Sequence, residues 1–423
     1  MKKVYLLVDC NNFFVSCERV FKPALKNKPV MVLSNNDGCV ISRSNEVKKF
    51  GVPMGAPVFK YRDLIKKYNI RVFSTNFTLY GDMSNRVMET LEYFTDDLEI
   101  YSVDEAFFKL NQWTGGHLEN YGRLIKTTVQ KWTGIPVSIG IGSTKTLAKA
   151  ANELAKKHEE FSGVLSLVNN SRTDQLLAQL AIGDVWGIGR AYRQSLPPYG
   201  LKTALDLKNA PDFFIKEKMG VMGERTVLEL RGVSCVELDH GPTVRKTILT
   251  SRSFRDPLTS LSQLKKAIAK YVSRAAEKLR EQGSVAGSLN VFITTSRFKK
   301  DNYYSNSANT KFLSPTSYTP TMIASALKNL EKIFKPGCLY KRAGVLLTDI
   351  SSTDNIQLNF FNPYSENKKQ QRLMASLDEI NDRWGGDTVK SAAMGVNRIG
   401  RYNVLKKSAS YTTKWLELMV VQI

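Results

Sequence analysis

Two adjacent carboxylates inside an apolar run place the strongest constraint on how this chain can fold. Asp104 and Glu105 lie in the segment 101–107, where uncompensated charge is costly. Because neighbouring side chains of a strand point to opposite faces, the two acids can converge on one site only where a strand ends or the chain turns. We therefore expect a bend at this point, together with a cation that balances the acids.

A third acid can complete such a site. Residues 4–8 have the composition of a buried strand, and Asp9 follows at its C-terminal end. Mg²⁺ prefers one or two carboxylates together with substrate phosphates, so Asp9, Asp104 and Glu105 are the candidate metal ligands. For an isolated Asp-Glu pair, the alternative is a surface hairpin whose acids are solvated.

The net charge narrows the choice of partners. The chain has 423 residues, with Lys+Arg 61 against Asp+Glu 39 and a net charge of +22, which favours a polyanionic partner such as a nucleic acid, with membrane surfaces as the competing polyanion. Its length indicates roughly three domains. No apolar run reaches the roughly 20 residues that span a bilayer, and the run at 4–8 is too short for a signal peptide, so we expect a cytoplasmic protein.

The five cysteines and three histidines are scattered without a C-x-x-C pair, which argues against a zinc site and a disulfide framework.

The first 160 residues alternate between strand and helix patterns. We expect strands at 30–33 and 137–142 and helices after Asp9 and at 80–94, 124–132 and 143–157. The helix after Asp9 would bring Phe13 and Phe14 beside the metals. The alternative is that both rings lie in the hydrophobic core. Arg43 and Lys48 could hold a triphosphate, or they could belong to a solvated charged face.

Two features of the later chain are typical of DNA-binding proteins. Gly187 and Gly189 lie between helical stretches, as in a helix-hairpin-helix whose backbone approaches a phosphate, although a plain connecting turn also favours glycine. Residues 245–350 follow a β-α-β-β-α-β order, with strands at 251–255, 288–295, 307–313 and 343–350 and helices at 261–282 and 320–334. The first of these helices carries a basic face formed by Lys265, Lys266, Lys270 and Arg274. This face would contact the DNA backbone; the alternative is that it is only solvated.

Six strings of residues together resemble the Y-family DNA polymerases over nearly the whole chain, and within that family the UmuC-type catalytic subunits of bacterial DNA polymerase V. The strings lie at 8–14, 34–41, 80–88, 101–107, 145–149 and 185–189. The resemblance implies a multidomain α+β and α/β fold shaped like a right hand. Its parts would be a palm (1–22 and 77–167), fingers (23–76), a helix-hairpin-helix thumb (168–240), a little finger (245–350) and a C-terminal tail (351–423).

The resemblance also implies an activity and a set of site residues. The activity is error-prone translesion synthesis in the SOS response to DNA damage, adding deoxynucleotides to a primer 3′-hydroxyl. Two Mg²⁺ ions would be held by the three acids and the Cys10 carbonyl, while Phe14 would contact the ribose and Lys156 the triphosphate. One departure concerns the Tyr-x-x-Arg pair of many relatives, since Asn45 and Lys48 occupy those positions and lysine lacks the bidentate fork of arginine.

Several partners follow from the same resemblance. Besides primer-template DNA and dNTP, a sliding clamp is expected, because a peptide of the tail resembles those by which bacterial polymerases hold the clamp; the alternative is that its rings pack on the chain's own core. The residues are Gln357, Leu358, Phe360 and Phe361. The last forty or so residues would help to contact a UmuD′ dimer and a RecA filament, so the active protein would be associated with the nucleoid. Two other classes stay open: a two-metal nuclease or nucleotidyl cyclase, and a non-catalytic DNA-binding repair subunit. The second would leave the buried acids without a role.

Overall fold

The computed structural model describes residues 3–110, 113, 117–239, 241, 244–298, 303–354, 368–396 and 406–418. The chain forms two compact units. One unit is Met1–Gly241 together with Asn403–Ile423, and the other is Pro242–Tyr402. The C-terminal end of the chain therefore belongs to the same unit as its beginning.

Strands and helices alternate along the first unit. In order they are β1 (Val4–Cys10), α1 (Phe13–Phe21), β2 (Val30–Leu33), β3 (Val40–Arg43), α2 (Asn45–Lys49), α3 (Arg62–Lys67), β4 (Arg71–Ser74), α4 (Phe77–Glu92), β5 (Leu98–Ile100), β6 (Glu105–Leu110), α5 (Leu118–Thr133), β7 (Val137–Gly142), α6 (Lys145–Lys157), β8 (Val164–Ser166), α7 (Thr173–Gln179), α8 (Arg190–Ser195), α9 (Ala204–Asn209) and α10 (Asp212–Leu230). The strands and helices predicted in the first 160 residues are confirmed.

A five-stranded sheet organises this unit, in the order β5-β6-β1-β7-β8. The central strand β1 pairs antiparallel with both β6 and β7. Side chains alternate along β1, so Leu6 and Val8 enter the core shared with α4 and α5, whereas Tyr5 and Leu7 pack with Ala148 of α6. The sheet is thus covered on both faces, and α6 lies over the face that carries the odd-numbered residues of β1.

Glycines in β7 let α6 approach the sheet closely. A Cβ at Gly140 or Gly142 would collide with the backbone of Ala148. The glycine-ended strand in the sequence therefore reflects helix-on-sheet packing and not a phosphate-binding loop.

A smaller sheet and a helical region complete the first unit. The sheet has the order β3-β2-β4, with β2 antiparallel to β3 and parallel to β4. Helices α7, α9 and α10 share a further apolar core with α6, which contributes Leu147, Ala151 and Leu154. Gly220 has φ 67° within α10, so the helix is kinked there.

The second unit has the predicted β-α-β-β-α-β order. Its elements are β9 (Ile248–Leu258), α11 (Leu261–Glu281), β10 (Ser284–Thr295), β11 (Ser305–Thr316), α12 (Thr319–Ile333), β12 (Tyr340–Ser352) and α13 (Lys368–Trp384). The four strands form an antiparallel sheet in the order β11-β10-β12-β9, and α11 and α12 share its apolar core.

Helix α13 is the main difference from the sequence interpretation. Residues 351–423 are predicted as one polar tail, but they divide between the two units and include a helix. Arg280 of α11 makes a bidentate ion pair with Asp378 of α13, with N–O distances of 2.6 and 2.7 Å. The domain boundaries stay predictions. In the described ranges no helix is long and apolar enough to cross a membrane.

Candidate active site

Asp9 and Glu105 lie opposite each other on neighbouring strands. The antiparallel register of β1 and β6 pairs their Cα atoms, and directly opposed residues in such a pair share one face of the sheet. Asp9 continues the odd-numbered series of β1, so this is the face that α6 covers. The sheet register therefore brings together two of the three predicted metal ligands.

Asp104 lies one residue before β6, in the bend that the sequence predicts. Its backbone oxygen accepts a hydrogen bond from Cys10 N at 2.8 Å, which ties the bend to the end of β1. Its carboxylate Oδ1 accepts a hydrogen bond from Ser102 Oγ at 2.7 Å. The backbone thus places Asp104 beside the other two acids, while its side chain is held by a neighbour in the bend.

Two lysines of α6 neutralise the acids on the sheet. Lys156 Nζ lies 2.6 Å from Asp9 Oδ2, and Lys149 Nζ lies 3.0 and 3.1 Å from the two oxygens of Glu105. These lysines are seven residues apart, which is two helical turns, so both occur on the face toward the sheet. The sequence interpretation included Lys156 and missed Lys149, although this spacing is the signal that could have found it.

The environment of Asp9 favours additional positive charge. Burial raises the pKa of the Asp9 carboxyl to about 7; the Lys156 ammonium opposes this shift, and the Glu105 carboxylate adds to it. A cation near both carboxylates would stabilise their charged forms.

Asp9, Asp104 and Glu105 offer the carboxylate oxygens that Mg²⁺ prefers, but in this structure these carboxylates bind neighbouring protein side chains. Among the described residues, no group of three or more His, Cys, Asp or Glu side chains is close enough to hold a metal ion. Carboxylate oxygens are the ligands that Mg²⁺ prefers. The Lys149 and Lys156 ammonium groups provide the positive charge beside Glu105 and Asp9. The positions of Asp9, Asp104 and Glu105 therefore fit the metal, whereas their side chains do not form a closed ligand set.

A cleft of about 460 Å³ opens beside Asp9, and its cations suit an anionic ligand. Its wall includes Asn12, Asn45, Lys48 and Lys156. Burial lowers the pKa of Lys48, and the nearby charges of Arg43 and Lys156 lower it further. Within the described residues the buried Nε of Arg43 has no hydrogen-bond partner. Lys48 and Lys156 beside the cleft, with Arg43 near Lys48, favour an anion such as a triphosphate.

The departure at Asn45 has a visible structural consequence. Asn12 Nδ2 donates a hydrogen bond to Asn45 Oδ1 at 3.0 Å. This side-chain amide is thus held against the start of α1, and Lys48 is left as the cation that α2 presents to the cleft.

The two neighbouring phenylalanines have different surroundings. Phe13 is 3% exposed and belongs to the core of the first unit. Phe14 is partly exposed, and its ring stacks on Tyr80 with the ring centres 4.6 Å apart. Phe14 is therefore accessible to a substrate, whereas Phe13 is a core residue.

The predicted glycine turn is exposed and contacts the same face. Gly187 has φ 91°, and Gly189 immediately precedes α8. Between β8 and this turn the sequence interpretation missed Trp186, whose Nε1 donates to the Tyr101 hydroxyl at 3.2 Å. The Lys149 ammonium lies 4.6 Å from the Tyr101 ring centre. A chain of contacts thus connects the glycine turn with Glu105 through Lys149.

The basic face of α11 is largely paired with acids of its own unit. Lys265 binds Glu331 at 2.5 Å and Lys270 binds Asp387 at 2.7 Å, while Arg274 pairs with a glutamate one turn along. Lys266 lies against Gly395, where an added Cβ would be 3.0 Å from its Cδ. Contact of this face with DNA stays a prediction, and such contact would have to displace these acids.

The predicted clamp-binding peptide, Gln357, Leu358, Phe360 and Phe361, lies outside the described residues.

Comparison with known proteins covers nearly the whole chain. The profile of the impB/mucB/samB family matches residues 8–153, and the profile of that family's C-terminal domain matches residues 245–360. A domain of unknown function matches residues 371–421. The chain is 41% identical to Protein UmuC of Salmonella typhimurium, over 99% of this chain and 100% of that protein. It is 26% identical to DNA polymerase IV 2 of Bacillus subtilis, over 93% of this chain and 94% of that protein.

Solved structures share the fold. A chimera of the Y-family DNA polymerases Dbh and Dpo4 is 22% identical with a TM-score of 0.65, and the match covers 83% of this chain and 100% of the chimera. An insertion ternary complex of Dbh DNA polymerase matches with a TM-score of 0.52 and 21% identity, over 83% of this chain and 100% of that chain. These likenesses confirm the predicted fold class.

Proposed function

Since this chain belongs to the impB/mucB/samB family, whose members include UmuC, we propose that it is a translesion DNA polymerase of the SOS response. It is a DNA-directed DNA polymerase that extends a primer on damaged template. The observation that carries the proposal at the level of residues is the pairing of Asp9 with Glu105 on adjacent strands, with Asp104 in the adjoining bend.

The three acids have a clear role in such a reaction. Asp9, Asp104 and Glu105, with the Cys10 carbonyl, would hold two Mg²⁺ ions. Bound there, the ions would stabilise the attacking 3′-oxygen and the leaving pyrophosphate. Lys149 pairs with Glu105 and Lys156 with Asp9, so both ammonium groups would have to move aside on metal binding.

The cations around the cleft would bind the triphosphate. Lys48 and Lys156 line the cleft, and Arg43 lies close enough to Lys48 to lower its pKa. Repulsion between these cations favours a polyanionic ligand such as a triphosphate, because the phosphates relieve the repulsion. Lys156 would then exchange its Asp9 partner for a phosphate oxygen when dNTP and metal bind together.

Phe14 would select the sugar. Its ring is partly exposed and is backed by Tyr80. The 2′-hydroxyl distinguishes ribonucleotides from deoxyribonucleotides, and a ring fixed beneath the sugar leaves no room for it. Phe14→Ala should therefore raise ribonucleotide insertion relative to deoxyribonucleotide insertion.

Contacts with DNA and with other proteins complete the proposal. The exposed turn at Gly187 and Gly189 and the basic face of α11 would contact the duplex backbone. The sequence of the peptide 357–361 supports a sliding clamp as a partner, and the family supports a UmuD′ dimer and a RecA filament. Binding to these partners would keep the active protein on the nucleoid.

Primer extension tests the proposal directly. The purified full chain should add dNTPs to a primer opposite an abasic site in the presence of Mg²⁺, and a sliding clamp should increase the nucleotides added per encounter. Shortening of the DNA would identify a nuclease. DNA binding without any change in primer length would identify a non-catalytic subunit.

A further inference from the structure

Residues 406–418 lie in the domain of unknown function and belong to the first unit. Lys407 forms a parallel bridge with Ser74, at the end of β4. Ser74 N donates to the Lys406 oxygen at 3.1 Å, and Lys406 N donates to Ser74 Oγ at 3.1 Å. Since β4 is an edge strand of the sheet β3-β2-β4, the C-terminal segment satisfies an edge that would otherwise be unpaired.

Asn76 anchors the next residues of this segment. It is fully buried, and its Nδ2 lies 3.2 Å from the Ser408 backbone oxygen, 3.0 Å from Ser408 Oγ and 3.1 Å from the Ala409 oxygen. Asn76 is also the N-cap of α4, where its Oδ1 accepts a hydrogen bond from Leu79 N. The segment is thereby tied to the start of the helix that carries Tyr80.

Glu18 is the buried acid on which these contacts converge. It is 0% exposed, and its Oε1 accepts hydrogen bonds from Ser408 Oγ and from the Tyr80 hydroxyl, both at 2.8 Å. In the described part of the chain, its Oε2 has no partner. Burial raises the pKa of Glu18, and the two hydroxyl donors oppose that shift. A buried carboxylate with two donors depends strongly on each of them.

The second donor connects Glu18 with the proposed sugar-contacting ring. Tyr80 is 1% exposed, and its ring is nearly parallel to that of Phe14, at 17° and 4.6 Å. A continuous line of contacts therefore runs from Ser408 through Glu18 and Tyr80 to Phe14.

We propose that Ser408 is a positioning residue for sugar selection, because its hydrogen bond fixes Glu18 and, through Glu18, the Tyr80 ring that supports Phe14. The proposal rests on the proposed function, since it takes Phe14 as the residue that meets the sugar. It assigns the C-terminal segment a part in the catalytic unit although 390 residues separate Ser408 from Glu18.

Loss of the Ser408 hydroxyl would leave Glu18 with one donor. The carboxylate would then shift or take up a proton, and the Tyr80 hydroxyl would lose its fixed acceptor. Because close-packed interiors transmit small displacements, the Phe14 ring would be held less firmly, and a 2′-hydroxyl would meet less resistance.

The experiment compares Ser408→Ala with Ser410→Ala in the full chain. Ser410 is 3% exposed in the same segment, and its backbone N donates a hydrogen bond to Glu417 Oε2 at 2.6 Å, whereas Ser408 Oγ donates to Glu18. For each variant, kcat/KM is measured for a dNTP and for the matching rNTP. We expect Ser408→Ala to reduce discrimination against the rNTP about fivefold, the factor that one hydrogen bond is worth. Ser410→Ala should discriminate as the parent does, even if both variants lower Tm similarly.

Two further variants decide between positioning and a general effect on folding. Tyr80→Phe removes the other hydroxyl on Glu18 and should also weaken discrimination, and combining it with Ser408→Ala should add less than the sum of the two. Ser408→Thr retains a hydroxyl and should retain discrimination. If Ser408→Ala does not fold, the discrimination between rNTP and dNTP measured for Tyr80→Phe tests the proposal instead.

Parental discrimination in Ser408→Ala and Tyr80→Phe would overturn the proposal, and so would an equal loss in Ser410→Ala. Phe14→Ala separates these results from a failure of the proposed function. If it discriminates as the parent does, or if the parent adds no nucleotide, the function assigned to the site is wrong and the inference fails with it.

Discussion

Lys156 and Lys270 each bind an aspartate, at 2.6 and 2.7 Å, but the two pairs have different surroundings. The side chains of Lys156 and Asp9 are 29% and 15% exposed, whereas those of Lys270 and Asp387 are 47% and 40% exposed. The chemical pair is the same in the two units. What differs is how much water remains around it and which charges lie beside it.

The difference determines what each lysine can do. An exposed pair contributes little to stability, about 0–1 kcal/mol, because water and salt screen it. Lys270 can therefore exchange Asp387 for a DNA phosphate at small cost. The half-buried Asp9 lies opposite Glu105, so it gives up Lys156 only when another cation takes its place.

Replacing the aspartate of each pair should give the largest difference between the two pairs, measured as the rate of nucleotide addition. Asp9→Asn should reduce the rate of nucleotide addition by about two to three orders of magnitude, the loss expected when one group that stabilises transition-state charge is removed. Asp387→Asn makes the same chemical change and should alter the rate less than about twofold. Single-turnover addition of one dNTP measures both, and equal effects would mean that the two pairs are equivalent.

Removing the lysine should give a smaller and more specific contrast. Lys156→Met should raise KM for dNTP about tenfold, since a hydrogen bond to a charged group contributes ~1.5 kcal/mol. Lys270→Met should leave that KM unchanged because its site is in the other unit. Steady-state titration with dNTP at saturating primer-template distinguishes the two, and an unchanged KM in Lys156→Met would remove this lysine from the triphosphate site.

The smallest expected effect is on the salt dependence of primer-template binding. Each phosphate neutralised contributes a slope of about −0.9 in log K against log[salt]. Changing Lys265, Lys266 and Lys270 together to Ala should flatten the slope for primer-template binding by about one to two, because Glu331 and Asp387 already compete for two of them.

A matched triple variant controls for the loss of net charge. Lys60, Lys66 and Lys67 are exposed lysines of the first unit. Their replacement by Ala should change the slope less than replacement of the α11 lysines. Identical slopes in the two triple variants would show that α11 makes no specific contact with DNA.

Local patterns predicted the backbone of the site but not its side-chain contacts. The apolar run before Asp9 and the acids in the bend at Asp104 were sufficient to predict β1, the turn and the start of β6. The register that sets Asp9 against Glu105 follows from strand pairing, which a single sequence shows only indirectly. The ion pairs of Asp9 and Glu105 with lysines of α6 depend on how closely α6 packs on the sheet, and the glycines of β7 allow this close packing.

The C-terminal region was the least predictable from the sequence. The polar composition after residue 351 favoured a tail, yet residues 368–384 form α13, whose Asp378 pairs with Arg280 of α11 and whose Met374 is buried. The contact of Ser408 with Glu18 joins residues at opposite ends of the chain, and neither residue stands out in its local sequence. Such long-range contacts depend on tertiary packing, which overrides local propensity.

The central claim is that Asp104, together with Asp9 and Glu105, holds the metal ions that transfer the nucleotide. Single-turnover addition of one dNTP by Asp104→Asn, across a Mg²⁺ titration and with primer-template affinity measured in parallel, tests it most directly. The predicted result is a loss of at least about a hundredfold in rate at every Mg²⁺ concentration. DNA affinity should stay within about twofold of the parent, because the proposed DNA contacts at the glycine turn and on α11 are unchanged. A rate close to that of the parent, with the same dependence on Mg²⁺, would contradict the assignment.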